Sequence, residues 1–420
     1  MTPFFGIDNR LVLAALLFGL LSASALLVQK KQWPDIISGV IKTITGFVIL
    51  IAGGRLLLYS LDWFGRLFRS AFKVEGVIMN TDAMAALAIN RFALETVLIL
   101  IFGTFVNLLL AKYTRFKYIF LTGHHTLYMA CTLAAVLTSS GAKLAVTVAV
   151  GSIVLGLAMV FSPAIIHPFT RRLTGSDDIA LGYYGAVSSL LAAWLGKVCG
   201  NRSKPAQNYR LPSIAFFRDS NNAVTLTMLL LFLAVSLSAG GSAWEASDSD
   251  RMNAVLFAAI QAIIFAAGVY IVFAGIRMLI NDLAPAVQRL AARFIPGGKS
   301  AVDSPTFFPF AANAVMLGFV SSLVAGLLLM PLLPAFGMSV IIPGIAAHLF
   351  SGATAGIYGN LTGGVRGAVL GGAANGILTT LLPAVLLLLA GSLGFQHIIF
   401  SDGDIGVVGL IVLLLVRWMM

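Results

Sequence analysis

Two adjacent histidines, two adjacent tyrosines and two aspartates at matching places are the residues of this 420-residue chain best suited to do chemistry. His124 and His125 follow Gly123 at the start of an apolar run. An imidazole donates and accepts hydrogen bonds in one plane, which suits a hydroxyl-rich solute. His124 is expected to touch that solute, and His125 to be a hydrogen-bonded structural residue. No third ligand stands at a suitable spacing from the pair, so no metal site is expected from spacing. Thr81-Asp82 and Asp303-Ser304 each open an apolar run. Their carboxylates and hydroxyls could bind a polyol or enediol; the competing role is to cap the helices that follow. Tyr183 and Tyr184, after Asp177-Asp178, could stack on and hydrogen-bond a ring, or belong to an interfacial aromatic belt. No phosphate loop, nucleophile elbow or HExxH helix is present. Cys131 and Cys199 are too few for a disulfide framework.

The elements that must position these groups are membrane helices. The chain is 59% hydrophobic and 10% charged, against about 25% charged in a soluble domain. Apolar runs recur from 10–29 to 403–418, many near the roughly 20 residues that span a bilayer. The first, Leu11 to Val28, reads as a retained helix and not a signal peptide. Lys42 and Arg55 in one run, and Gln261 and Arg277 in another, are costly at mid-bilayer. Arg55 and Arg277 are therefore expected near an interface or paired with acids such as Asp62 and Asp282. The stretch 339–358 holds Pro343, several glycines and His348, the mark of a broken or re-entrant element buried in protein. Glycines from Gly352 to Gly376 predict close helix packing. The net charge of +11 lies in short loops, a positive-inside pattern and not a nucleic-acid surface. Its densest cluster, from Lys197 through Arg202, Lys204 and Arg210 to Arg218, predicts a basic cytoplasmic loop over 197–220. No room is left for a nucleotide-binding or phosphoryl-carrying domain.

The chain also resembles itself at an offset of about 222 residues. Ala52, Gly53 and Arg55 fall over Ala274, Gly275 and Arg277, and Thr81-Asp82 over Asp303-Ser304. Gly123 then falls over Gly344, Pro163 near Pro383, and Gly175-Ser-Asp-Asp178 near Ser401-Asp-Gly-Asp404. A common order at a nearly constant offset predicts two repeats, 36–196 and 253–418, within a single membrane unit. Duplicated halves mark transporter folds with the substrate at the repeat interface, and an inverted relation is expected.

These motifs carry a resemblance to a known family, the membrane subunit (enzyme IIC) of the ascorbate-specific phosphotransferase system. Its most specific pieces are LTGH at 121–124, AVDSPTFFPFAANAVMLGF at 301–319, IIPG at 341–344 and LFSGATAGIYGNLTGGVRGA at 349–368, with Arg210-Leu-Pro212 between them. The resemblance implies an all-α homodimer of about eleven spans per protomer plus re-entrant hairpins, in the bacterial inner membrane. It implies a permease that binds an ascorbate-like solute for phosphorylation by a separate IIB protein, charged through IIA, with no cofactor and no covalent chemistry of its own. Family ligand contacts fall on Thr81, Asp82, the segment His124–His125–Tyr128, Tyr183, Tyr184 and Asp303. Tyr128, Tyr183 and Tyr184 depart from the amide and imidazole groups of the family pattern, which puts the solute, not the fold, in question. Two other functions compete: an ion-coupled secondary transporter using Asp82 or Asp303, and an intramembrane enzyme using His124 with Asp303.

Overall fold

The computed structural model describes residues 9–209, 220–239, 254–391 and 395–419; Arg210-Leu-Pro212 and the rest of 210–219 in the expected basic loop lie outside the described residues. The first half runs α1 (Asn9–Val28), α2 (Trp33–Phe72), β1 (Gly76–Met79), α3 (Thr81–Tyr113), β2 (Tyr118–Phe120), α4 (Gly123–Ser139), α5 (Leu144–Thr174), β3 (Ile179–Leu181) and α6 (Ala186–Cys199). After α7 (Ser220–Ala239) come α8 (Ala254–Ile280), α9 (Leu283–Phe294), β4 (Lys299–Val302), a 3-10 stretch (Ser304–Ala311) and α10 (Ala312–Leu329). A second 3-10 stretch (Met330–Phe336), β5 (Val340–Ile342), α11 (Ile345–Ala390), β6 (Ile398–Ile399) and α12 (Gly403–Met419) complete the chain.

Among the described residues, seven helical stretches are long and apolar enough to cross a membrane. The chain is accordingly a multi-pass membrane protein. Helices start and stop where the sequence supplies the signals. Pro34 sits in the first turn of α2, where its missing N–H costs nothing. Gly175 ends α5 at φ +73°, a left-handed cap open to glycine.

Small residues set the helix contacts. Gly53 of α2 lies against Val272 of α8, and Gly275 of α8 against Leu50 and the Gly46 carbonyl of α2. The glycines that match across the repeat thus pack the same pair of helices together. Asp62 and Asp282 are used differently from expectation: Asp62 pairs with Arg66, one turn along α2, and Asp282 accepts from Ser22 Oγ at 2.7 Å, tying α1 to the α8–α9 junction.

The expected broken element takes a definite form. The stretch 339–358 holds β5 and the start of one long helix, α11, which is broken at Gly364, where φ is +60° and ψ −150°. A side chain there would also strike the carbonyls of Asn201 and Lys204. The two arms of α11 fold back on each other, with Gly359 and Gly367 in backbone contact. The glycine cluster is what allows that turn.

Among the described residues, six strands of two to four residues, invisible as periodic patterns, form two parallel sheets. One has the order β5-β1-β6, with Ile78 paired to Ile342 and Ile398. The other has the order β2-β4-β3, with Ala301 paired to Phe120 and Ala180. Each sheet is centred on a strand from one half of the chain and flanked by two from the other. Burial in protein, together with this pairing, satisfies the non-helical backbone.

Candidate functional site

Each strand runs into a helical stretch within a few residues: β1 into α3, β2 into α4, β3 into α6, β4 into the 3-10 turn before α10, β5 into α11 and β6 into α12. Because the pairings are parallel, the carboxyl ends of neighbouring strands lie on the same side of each sheet. The polar residues at those ends gather round one cavity of about 650 Å³. Its polar wall holds Thr81, Asp82, His124, His125, Tyr128, Tyr183, Asp303 and two residues of the β6–α12 junction, Ser401 and Asp402. The facing wall is apolar, built by Met228 of α7 and Phe265, Val269 and Phe273 of α8, with Arg277 at one edge.

Two clusters organise the polar wall. In the first, Asp303 stands between the histidines: His124 Nε2 is 3.3 Å from Oδ2 and His125 Nε2 is 3.4 Å from Oδ1. The Ser304 N–H also donates to Asp303 Oδ1 at 2.7 Å, so this carboxylate caps its helix and orients two imidazoles at once. In the second, Thr81 Oγ1 donates to Asp402 Oδ2 at 2.9 Å and Tyr183 OH donates to Asp402 Oδ1 at 2.8 Å. The Ser401 N–H donates back to Thr81 Oγ1 at 3.0 Å. The clusters meet where the Tyr183 and His125 rings cross edge to face, 4.7 Å apart.

Asp82 does not cap α3. Asn80 does that, accepting from the Ala83 N–H at 2.9 Å, while Asp82 accepts from the Tyr128 hydroxyl. Tyr184 is the one expected contact that the fold turns away. It is fully buried behind the site, stacked on Phe120 at 5.0 Å, and is absent from the cavity wall. The two tyrosines lie in the bend between β3 and α6, which sends Tyr183 into the cavity and Tyr184 against Phe120. Asp402 and Ser401 are the contacts that sequence reasoning missed. The signal was present, since this Ser-Asp pair lies near Ser176-Asp177 in the self-comparison. A neighbouring carboxylate, Asp404, accepts from the Ala186 and Val187 N–H groups and so caps α6.

A charged clasp fixes the strand that delivers Asp303, with its carboxylate on the turn after α5. Lys299, at the start of β4, donates from Nζ to Asp177 Oδ2 at 2.8 Å, and His167 Nε2 lies 3.0 Å from Asp177 Oδ1. Hydrogen bonds from Lys299 and then His167 hold the Asp177 carboxyl down at about 2, below its ordinary 3.8. A depressed carboxyl adds stability above its unfolded value and loses it as pH falls through its folded one. Asp177→Asn should therefore lower the melting temperature at pH 7, and the difference from the parent chain should shrink strongly by pH 2, where half of the carboxylate is protonated, and vanish below it. Parallel melting curves at both pH values check this.

Residues 11–404 match the family described as EIIC-GAT, the PTS system sugar-specific permease component. The chain belongs to that family. This permease component is also 22% identical, over 374 aligned residues, to the ascorbate-specific PTS system EIIC component of Mycoplasma pneumoniae. That alignment covers 76% of this chain and 55% of the relative, so the permease component spans about half the length of the curated protein it matches.

Proposed function

We propose that this permease component binds L-ascorbate or a related sugar acid in the cavity walled by His124, Asp303 and Asp402. It carries the solute across the bacterial inner membrane for phosphorylation by a separate IIB protein, itself charged through IIA. The observation that carries the reading is the convergence of six strand ends on one polar wall. Hydroxyl, imidazole and carboxylate groups there match the donors and acceptors of a polyhydroxylated ring. The printed specificity of the Mycoplasma pneumoniae relative supports ascorbate. Helix geometry supports an anion, since the first residues of α4 and α11 line the cavity and no side chain caps either helix. Each such N-terminus carries about half a positive charge.

The swapped order of the two sheets supports two inverted repeats, with the solute between them. The hairpin of α11 and the buried first turns of α3 support re-entrant elements, in a protomer of about eleven spans within a homodimer. The test is uptake of labelled ascorbate by cells expressing the chain, with and without cognate IIA and IIB. Phosphorylated ascorbate should accumulate only with both partners. Uptake that persists without them and collapses with a protonophore would replace this reading by ion-coupled transport.

A further inference from the structure

The structure assigns a divalent cation, of which zinc is the best fit, to the group His124 Nε2, His125 Nε2 and Asp303. The third ligand that spacing along the chain did not supply comes from the neighbouring strand of the sheet, β4, which is far away in the chain. The candidate ligand atoms all lie within 4.8 Å of one another. The two nitrogen–oxygen separations, 3.3 and 3.4 Å, are long for charge-assisted hydrogen bonds. Each nitrogen faces its own oxygen of the carboxylate, Oδ2 for His124 and Oδ1 for His125, so the three side chains border a common space that a cation with bonds of roughly 2.0–2.1 Å would draw together. Two imidazoles and one carboxylate suit a borderline cation such as zinc rather than magnesium or calcium. Three protein ligands leave the fourth position open, and here it opens on the cavity. His124 and Asp303 are both partly exposed there, whereas His125 is buried.

Charge in the cavity points the same way. Asp82, Asp303 and Asp402 face it, against Arg277. The N-terminus of α4 offers only about half a charge, so a bound dication is the larger correction to three carboxylates. It would also give an enediolate or hydroxyl oxygen a direct ligand position. The cation site itself stands on the His-His-Asp geometry; only the identity of its fourth ligand rests on the proposed solute.

The test uses the full chain, purified through a tag without histidines, reconstituted in lipid nanodiscs and stripped with chelator. On addition of zinc alone, about one ion per chain should be retained after gel filtration. Cobalt alone should give the strong visible absorption of a four-coordinate site. His125→Ala and Asp303→Asn should each weaken zinc at least about tenfold, the smaller end of what even an outer-shell change costs. Asp303→Asn keeps the side-chain shape and the acceptor for Ser304, so its elution profile should match the parent. Failure of the parent chain to retain zinc, or retention unchanged in both variants, overturns the site. Ascorbate bound with equal affinity before and after chelation overturns the open coordination position while leaving the permease reading standing. Zinc retained by a chain that binds no ascorbate supports the cation site and removes that solute.

Discussion

Asp303→Asn is expected to weaken ascorbate binding roughly 10- to 150-fold, the equivalent of about 1.5–3 kcal/mol for a hydrogen bond to a charged group. The chain should remain folded. Asp303 has two duties, and asparagine keeps one of them. Its Oδ1 still accepts from the Ser304 N–H, so the 3-10 turn that begins α10 keeps its cap. What is lost is the charge that holds the His124 and His125 rings from either side. Freed imidazoles rotate, and their orientation must then be re-imposed at each binding event. His124→Ala should have a similar effect, because His124 is the more exposed of the pair and the nearer to any solute. Equilibrium binding of labelled ascorbate to purified protein measures both. Unchanged affinity in the two variants would remove this cluster from the solute site, whatever the transport activity.

The largest structural effect is expected at Gly318, where Gly318→Val should leave little folded protein. A side-chain carbon there would lie 2.2 Å from the Gly352 carbonyl oxygen and 2.6 Å from Gly356 Cα. Both obstacles are backbone of the first arm of α11, and neither can swing away as a side-chain tip would. Overpacking of a tight contact costs about 1–3 kcal/mol, and more where nothing can yield. Because that arm begins at β5 and lines the cavity through Ala346 and Ala347, any shift of it also displaces the site. Gly337→Ala is the matched control. Gly337 has φ +70° but open space around it, so only the backbone strain of about 1 kcal/mol is expected. Yield of monodisperse protein and thermal unfolding in detergent distinguish the two.

Much of the scaffold was legible because membrane helices write themselves as long apolar runs. The first and last runs, 10–29 and 403–418, fell within a residue of α1 and α12, and the 339–358 stretch was recognised as irregular from Pro343 and its glycines. The strands were not legible. Two to four apolar residues such as Val340–Ile342 sit beside apolar helices, and no periodicity can separate them over so short a length. That blind spot explains the errors in the site. Without β3 and the bend that follows it, nothing showed that Tyr183 would reach the cavity while Tyr184 packs behind it. Without β6, nothing showed that Ser401 and Asp402 stand beside Thr81. His124 and Asp303 could be named singly, but their contact joins residues far apart in the chain through the pairing of β2 with β4.

The exchanged strands of the two sheets bear on how the protein is made. β1 is translated early, yet its partners are residues 340–342 and 398–399. Its backbone donors and acceptors must wait inside the nascent protein until residues 398–399 have been made. Membrane insertion can proceed helix by helix, but closure of the solute chamber is a late, all-or-none event. An incomplete product, truncated even shortly before residue 398, would carry a set of inserted helices with an unfinished interior. Such a product would hold β1 with its pairing groups toward β6 unmatched.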